Sequence, residues 1–292
     1  MKLQGLYTAV ITPFTADGSL DVEKFSMLTE QQIAAGVNGL VVTGSTGEAA
    51  TLTTAEKATL WRTAVEVSAG RVPVIAGSGS NNTADSVQAS RQAAEAGVAA
   101  LLIVTPYYNK PTPAGVVAHH SAIADACPLP QILYNVPGRT ATNLGVDVQL
   151  AVMDAVPLVI GSKEASANLS QISRLAAQVP EHVSVLAGDD DLTLPIIGVG
   201  GSGVIAVISN YAPVTFGRLV NNALAGNFSS AQRIQKQLIP WYTANFLESN
   251  PIPVKYIMHR KYGVSLTYRL PLVPPSAATT GRIDALWDSL PD

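Results

Sequence analysis

The stretch Leu158-Val159-Ile160-Gly161-Ser162-Lys163 is a mainly apolar run that ends in a lysine, and it indicates both the fold and the chemistry. Apolar residues without polar alternation are typical of a strand buried on both faces of a parallel sheet. Burial disfavours the charged form of a lysine, and a neutral amine can condense with a carbonyl to form a Schiff base. This segment alone leaves a second interpretation open, in which Lys163 is a surface residue paired with Glu164.

Seven more runs rich in Val, Ile and Leu occur in the first 208 residues, and the segments between them carry helix signals. Thr53-Thr54-Ala55-Glu56 resembles a capping box, and Thr112-Pro113 places a proline at a first helical position. Eight strand–helix units in series predict a closed (β/α)8 TIM barrel of the α/β class rather than an open sheet. The predicted strands are Tyr7–Thr12, Gly39–Thr43, Val72–Gly77, Ala100–Thr105, Gln131–Val136, Leu158–Lys163, Val183–Gly188 and Gly203–Ile208.

The length of the chain allows for more than the barrel itself. Its 292 residues exceed the about 250 of a typical (β/α)8 barrel. Beyond residue 224, Ala231–Leu247 and Pro253–Tyr262 have helical patterns, and no further strand–helix unit follows. We therefore predict a catalytic barrel over residues 1–224 and a C-terminal helical extension, packed on the barrel, over residues 225–292.

Composition excludes several classes of protein. Hydrophobic residues make up 47% of the chain and charged residues 13%, so a large core is available. The net charge of −3, without a lysine- or arginine-rich run, argues against nucleic acid or a membrane surface as a partner. No apolar run approaches the roughly 20 residues that span a bilayer, and the N-terminus lacks the features of a signal peptide. The only cysteine, Cys127, can form no internal disulfide, so we expect a cytoplasmic protein.

Polar side chains follow several of the predicted strands, at the barrel mouth where (β/α)8 enzymes carry their chemistry. An amine nucleophile, a phenol that carries protons and a guanidinium that binds a carboxylate suit carbonyl chemistry on an anionic substrate. The residues that the predicted strand ends bring to this mouth are Ser45, Thr46, Tyr107, Tyr108, Tyr134, Arg139, Lys163, Gly188 and, on the last strand, Ile205.

Neither a metal nor a nucleotide cofactor is predicted. The acidic run Asp189-Asp190-Asp191 could hold a metal, but a metal-dependent aldolase needs histidines at strand ends, and none of the four histidines lies there. We expect this run to cap the next helix. His119 and His120 are adjacent on a predicted helix, and we expect them to be solvated or half-buried. Residues 198–203 match the pattern GxGxxG but lead into a strand, unlike a dinucleotide-binding turn.

Three segments resemble the signature motifs of the pyruvate-dependent class I aldolase barrels: Gly44–Glu48, Tyr134–Pro137 and Gly161–Ala165. The resemblance covers essentially the whole chain, as far as Asn250–Lys255 in the extension. Within this superfamily the chain is most similar to the dipicolinate synthases, to judge from Thr105–Pro111, Pro137–Thr140 and Gly188-Asp189-Asp190. Arg139 discriminates best, since the sialate lyases lack an arginine there.

The resemblance implies a Schiff-base aldol condensation of pyruvate with L-aspartate 4-semialdehyde, which belongs to lysine and diaminopimelate biosynthesis and needs no cofactor. Lys163 would form the imine, and Tyr134 would shuttle protons, with Thr46 relaying to Tyr108. The tyrosine that matches Tyr108 reaches in from a neighbouring subunit in this family, which implies a homodimer, assembled further into a tetramer.

The resemblance also assigns the substrate-binding residues. Ser45 and Thr46 would bind the pyruvate carboxylate, Arg139 would bind the carboxylate of the aldehyde, and Gly188 and Ile205 would line the pocket near the imine. Ser45 departs from the synthase pattern, in which threonine is more frequent. A sugar-acid aldolase, such as N-acetylneuraminate lyase or 2-keto-3-deoxygluconate aldolase, therefore stays open, as do an aldo-keto reductase and a non-catalytic paralogue.

The resemblance also bears on feedback inhibition by lysine. In feedback-inhibited relatives lysine binds at the dimer interface, and Asn81 and Tyr107 match that site. The inhibited type has histidine in place of Lys57 and glutamate in place of Asp85. A cationic side chain at position 57 repels the ammonium group of lysine. We therefore expect lysine to inhibit weakly or not at all.

Overall fold

The computed structural model describes all 292 residues and contains eight parallel strands that close into a barrel in chain order. The predicted (β/α)8 fold is confirmed, and each predicted strand overlaps an observed one. The strands are β1 (Gly5–Ala9), β2 (Gly39–Val42), β3 (Val74–Gly77), β4 (Ala100–Val104), β5 (Gln131–Asn135), β6 (Val159–Glu164), β7 (Ser184–Ala187) and β8 (Gly203–Ala206).

The barrel closes between β1 and β8. Contacts at this junction explain why β1 differs more from its predicted bounds than any other strand. β1 starts earlier than predicted because Gly5 and Leu6 pair with β8. It also ends earlier, since the Ile11 N–H donates to the Asn210 side chain, 3.1 Å away, instead of to a neighbouring strand. Gly203, the last glycine of the GxGxxG match, serves this closure: a Cβ there would lie 2.1 Å from the Gly5 carbonyl oxygen.

Helices surround the barrel and form the extension. The capping box at Thr53 and the proline-led start after Thr112 are both confirmed. None of the helices is both long and apolar enough to cross a membrane. The helices are α1 (Val22–Ala34), α2 (Thr54–Ser68), α3 (Thr83–Glu95), α4 (Pro113–Ala126), α5 (Pro137–Thr140), α6 (Val146–Ala155), α7 (Leu169–Ala176), α8 (Thr193–Gly198), α9 (Pro213–Leu224), α10 (Phe228–Asn245), α11 (Ile252–Tyr262) and α12 (Ala277–Leu286).

The C-terminal extension is helical, as predicted, although α12 was missed. Helix α10 packs against α9, the last helix of the barrel, and against α11 and α12. Because α9 ends at Leu224, we propose to keep the division into a barrel over residues 1–224 and an extension over residues 225–292. The core has two layers, one inside the barrel and one between the strands and the helices.

The acidic run after β7 does not cap the next helix, so this expectation was wrong. Helix α8 begins after Leu192 without a side-chain cap. The buried Asp190 carboxylate instead accepts hydrogen bonds from the backbone N–H groups of Val207 and Ile208, at 2.9 and 2.7 Å. Asp190 therefore ties the end of β8 to the loop after β7.

His119 and His120 are both buried, at 4% and 0% exposure, so the expectation of a solvated or half-buried position was also wrong. Helix α4 packs against α3 and α6, which cover two of its sides. The ring Nδ1 of His119 lies 2.9 Å from the Thr83 hydroxyl, and that of His120 lies 2.9 Å from Oε1 of Gln131. Burial lowers the pKa of both histidines to about 4.

Candidate active site

Lys163 and Tyr134 are neighbours on adjacent strands at the carboxyl-terminal mouth of the barrel. They are register partners on β6 and β5, and the Lys163 Nζ lies 4.2 Å from the centroid of the Tyr134 ring. Both side chains are buried, at 6% and 7% exposure. Glu164 is fully buried and hydrogen-bonds to other residues. The interpretation of Lys163 as a surface lysine paired with Glu164 was therefore wrong.

A buried polar network lies directly behind this pair. The Glu164 carboxylate accepts hydrogen bonds from Asn135 Nδ2 at 3.1 Å and from Gln149 Nε2 at 2.5 Å. Burial raises the pKa of Glu164, and the hydrogen bonds that it accepts oppose this rise. Because Asn135 follows Tyr134 and Glu164 follows Lys163, the network fixes the strand positions next to both site residues. Asn135 and Glu164 belong to the segments quoted above, but sequence reasoning gave Asn135 no role and considered Glu164 only as a surface partner of Lys163.

Gly188 and Ile205 lie near the same pair. The Gly188 N–H donates to the Glu164 carbonyl at 2.7 Å, and a Cβ at Gly188 would lie 2.7 Å from the Cβ of Ala165. Only glycine therefore fits this close approach of the loop after β7 to β6. Ile205 is fully buried and belongs to the apolar cluster inside the barrel that also contains Tyr134.

Ser45 and Thr46 lie on the loop after β2. Ser45 is exposed, whereas Thr46 is buried at 4% exposure. The Thr46 Oγ1 accepts a hydrogen bond from Asn250 Nδ2 at 2.9 Å, and the Asn250 carbonyl accepts one from Arg139 Nη2 at 3.2 Å. Asn250 thus links Thr46 to Arg139. The sequence offered only one signal for it, its place in the motif Asn250–Lys255.

Tyr108 is not brought together with the other site residues within this chain. It lies on the loop after β4, its side chain is 87% exposed, and it forms no hydrogen bond with Thr46 or Tyr134. Tyr107 on the same loop is 40% exposed. These two rings form an exposed aromatic surface at the edge of the mouth.

Asp189 interacts electrostatically with the site lysine, and sequence reasoning assigned it no role in the site. Burial raises the pKa of Asp189 to about 6, the charge of Asp191 adds to the rise, and the charge of Lys163 opposes it. No group of three or more His, Cys, Asp or Glu side chains is arranged to hold a metal ion.

The barrel, with a lysine and a tyrosine side by side at its mouth, has the architecture of a (β/α)8 lyase, and known proteins match it throughout. The Dihydrodipicolinate synthetase family matches residues 2–287. The 4-hydroxy-tetrahydrodipicolinate synthase of Maridesulfovibrio salexigens is 45% identical over 98% of this chain and 97% of its own. The chain therefore belongs to the dihydrodipicolinate synthetase family of enzymes.

Solved structures agree with this assignment. The dihydrodipicolinate synthase of Aquifex aeolicus superposes with a TM-score of 0.96 at 37% identity, covering 99% of both chains. The chloride-inhibited dihydrodipicolinate synthase of Acinetobacter baumannii, in complex with pyruvate, superposes with a TM-score of 0.95 at 35% identity, again over 99% of both chains.

Proposed function

We propose that this protein condenses pyruvate with L-aspartate 4-semialdehyde to give 4-hydroxy-tetrahydrodipicolinate, through an imine on Lys163. The observation that carries the proposal is the buried Lys163 amine, 4.2 Å from the Tyr134 ring at the mouth of the barrel. Its family relatives bear the name of this reaction. The reaction places the protein in lysine and diaminopimelate biosynthesis.

The chemistry follows from the nucleophile. The Lys163 amine attacks the keto carbon of pyruvate, and loss of water leaves the imine. Loss of a proton from the methyl group gives an enamine, whose carbon adds to the aldehyde carbon of the second substrate. Cyclisation through the amino group of that substrate then displaces Lys163. Every bond made or broken between heavy atoms uses groups of the two substrates and the lysine, so the proposal includes neither a metal nor an organic cofactor.

Proton transfer falls to Tyr134, Thr46 and Tyr108. Tyr134 is next to the amine, where a phenol can give and take protons as water leaves and the enamine forms. Thr46 relays to Tyr108, and the exposed Tyr108 ring is available to the mouth of a second subunit. We therefore propose a homodimer in which each subunit completes the site of the other, assembled further into a tetramer in the cytoplasm.

Two subsites hold the two carboxylates. Ser45 and Thr46 bind pyruvate, because their hydroxyls lie on the loop that enters the mouth after β2. Arg139 binds the aldehyde substrate: it is exposed, and one contact to Asn250 leaves most of its five N–H donors free. Gly188 and Ile205 line the pocket beside the imine.

A substrate comparison tests the proposal. We expect turnover with pyruvate and aspartate semialdehyde, measured as consumption of both, and no cleavage of N-acetylneuraminate or 2-keto-3-deoxygluconate. Cleavage of either sugar acid, without condensation, would assign the protein to the sugar-acid aldolases instead. Addition of pyruvate to the protein in the presence of NADPH tests for an oxidoreductase. We expect no change in NADPH absorbance.

A further inference from the structure

The loop that carries Ser45 and Thr46 begins and ends in strained backbone. Thr43 and Glu48 both adopt the left-handed conformation, with φ of 57° and 54°. This conformation is unfavourable for residues other than glycine, asparagine and aspartate, and it persists only where surrounding contacts maintain it. The contacts of these two residues therefore determine where the two hydroxyls between them point.

The Thr43 end is held by the barrel and its second helix. The Trp61 Nε1 donates to Thr43 Oγ1 at 2.8 Å, and that hydroxyl lies 3.0 Å from the Gly77 carbonyl. This end of the loop is thus fixed by residues of the barrel itself, on α2 and β3.

The Glu48 end is held by the C-terminal extension. Lys255 on α11 donates to Glu48 Oε1 at 2.6 Å, and both side chains are fully buried. The ammonium also donates to the Thr267 carbonyl at 2.8 Å and lies 4.5 and 4.8 Å from the ring centroids of Phe14 and Tyr268. Burial lowers the pKa of Lys255, and the Glu48 charge opposes this effect.

The same part of the extension contacts the loop a second time. Asn250, which precedes α11, donates to Thr46 Oγ1 at 2.9 Å. Because that oxygen accepts the amide hydrogen, the Thr46 hydroxyl hydrogen remains free for a bond to another acceptor. The extension therefore contacts both the strained end of the loop and its site hydroxyl.

We propose that the Lys255–Glu48 ion pair positions the pyruvate subsite, by keeping Glu48 in the left-handed conformation that presents Ser45 and Thr46 to the pyruvate carboxylate. The proposal rests on the function proposed above. A buried ion pair is not required for stability, since apolar residues of similar volume often serve equally well. Its place here is explained by the conformation that it imposes on the loop.

Two double variants separate this role from general stability. Lys255→Met with Glu48→Gln, and Lys255→Met with Glu48→Asn, both remove the two buried charges together. Asparagine tolerates the left-handed conformation better than glutamine does. We expect the Gln variant to raise the pyruvate concentration for half-maximal imine formation roughly tenfold, with a smaller change in the maximal rate. The Asn variant should recover most of this loss.

Lys261→Met is the matched control, because Lys261 lies on the same helix and donates to the Tyr211 carbonyl at 2.6 Å, away from the loop. It should leave the half-maximal pyruvate concentration unchanged while lowering the melting temperature. An unchanged value in the Gln variant, or equal values in the Gln and Asn variants, would overturn the inference alone. Wild-type protein that forms no imine with pyruvate would overturn the proposed function as well.

Discussion

Arg139 donates a hydrogen bond from Nη2 to the main-chain carbonyl of Asn250, 3.2 Å away, and Asn250 binds the Thr46 hydroxyl in turn. One residue of the C-terminal extension therefore joins the two carboxylate subsites that we propose. This link raises the question of how separately the two substrates are bound.

The Arg139→Ala variant tests that separation. We expect KM for aspartate semialdehyde to rise roughly tenfold to a hundredfold, since losing a charge-assisted contact costs on the order of 1.5–3 kcal/mol. Imine formation with pyruvate should change much less. Initial rates with each substrate varied in turn give both values, and Arg174→Ala, on an exposed arginine of α7, is the control. An equal loss for pyruvate would mean that Arg139 supports the site structurally.

Tyr108 can be tested by mixing two inactive variants. Lys163→Arg and Tyr108→Phe subunits should each have little activity alone. If Tyr108 acts in the neighbouring subunit, a mixed dimer contains one intact site, and equal random mixing restores about a quarter of wild-type activity. If Tyr108 acts in its own subunit, no mixed site is intact. Absence of recovery, with mixed dimers present by native mass spectrometry, would contradict the shared site.

The buried histidines should make the protein less stable at acid pH. The pKa of His119 and His120 is lowered to about 4, below the about 6.5 of the unfolded chain, so the unfolded chain binds more protons between these values. The contribution of the neutral histidines to the free energy of unfolding is complete above about pH 6.5 and is lost as the pH falls towards 4. Asp189 and Asp190 have the opposite effect on the pH dependence of stability, because burial raises their pKa to about 6 and about 7.

The His120→Gln variant isolates the histidine effect. Between pH 6.5 and 4, the free energy of unfolding of the wild type should fall by about 2–3 kcal/mol more than that of the variant. Urea unfolding at several pH values measures this difference, and His182→Gln, on an exposed histidine, is the control. Parallel curves for wild type and His120→Gln would show that His120 does not titrate in this way.

Lysine should leave the activity largely unchanged at millimolar concentration, an order-of-magnitude choice for a weak metabolite site. Burial lowers the pKa of Lys57, and the charge of Asp85 opposes this effect, so the two side chains interact electrostatically. A Lys57→His/Asp85→Glu variant, which restores the residues of the inhibited type, should gain inhibition. A lysine titration of the initial rate of both proteins decides the matter, and clear inhibition of the wild type would refute this prediction.

The barrel and the Lys163–Tyr134 pair could be predicted because both follow from local patterns. Apolar runs give the strands, and residues at the ends of parallel strands meet at one mouth whatever the details of packing. The same reasoning placed Ser45 and Thr46 after β2 and Arg139 after β5, and the structure has Ser45 and Thr46 on a loop and Arg139 on the short helix α5.

The contacts of the extension could not be predicted in the same way. Asn250 and Lys255 lie 204 and 207 residues from their partners Thr46 and Glu48, and no periodicity specifies such a pairing. The same holds for Asp190, whose carboxylate binds backbone N–H groups at the end of β8 instead of capping α8, the helix that follows it. Which partner a buried polar group finds depends on tertiary packing.

Borohydride reduction in the presence of pyruvate is the most direct test of Lys163 as the nucleophile. We expect one reduced pyruvate adduct, mapped by mass spectrometry to the peptide that contains Lys163. Lys163→Arg should give no adduct, because a guanidinium stays protonated and cannot attack the carbonyl. An unmodified wild-type protein, or an adduct on another lysine such as the exposed Lys110, would show that Lys163 is not the nucleophile.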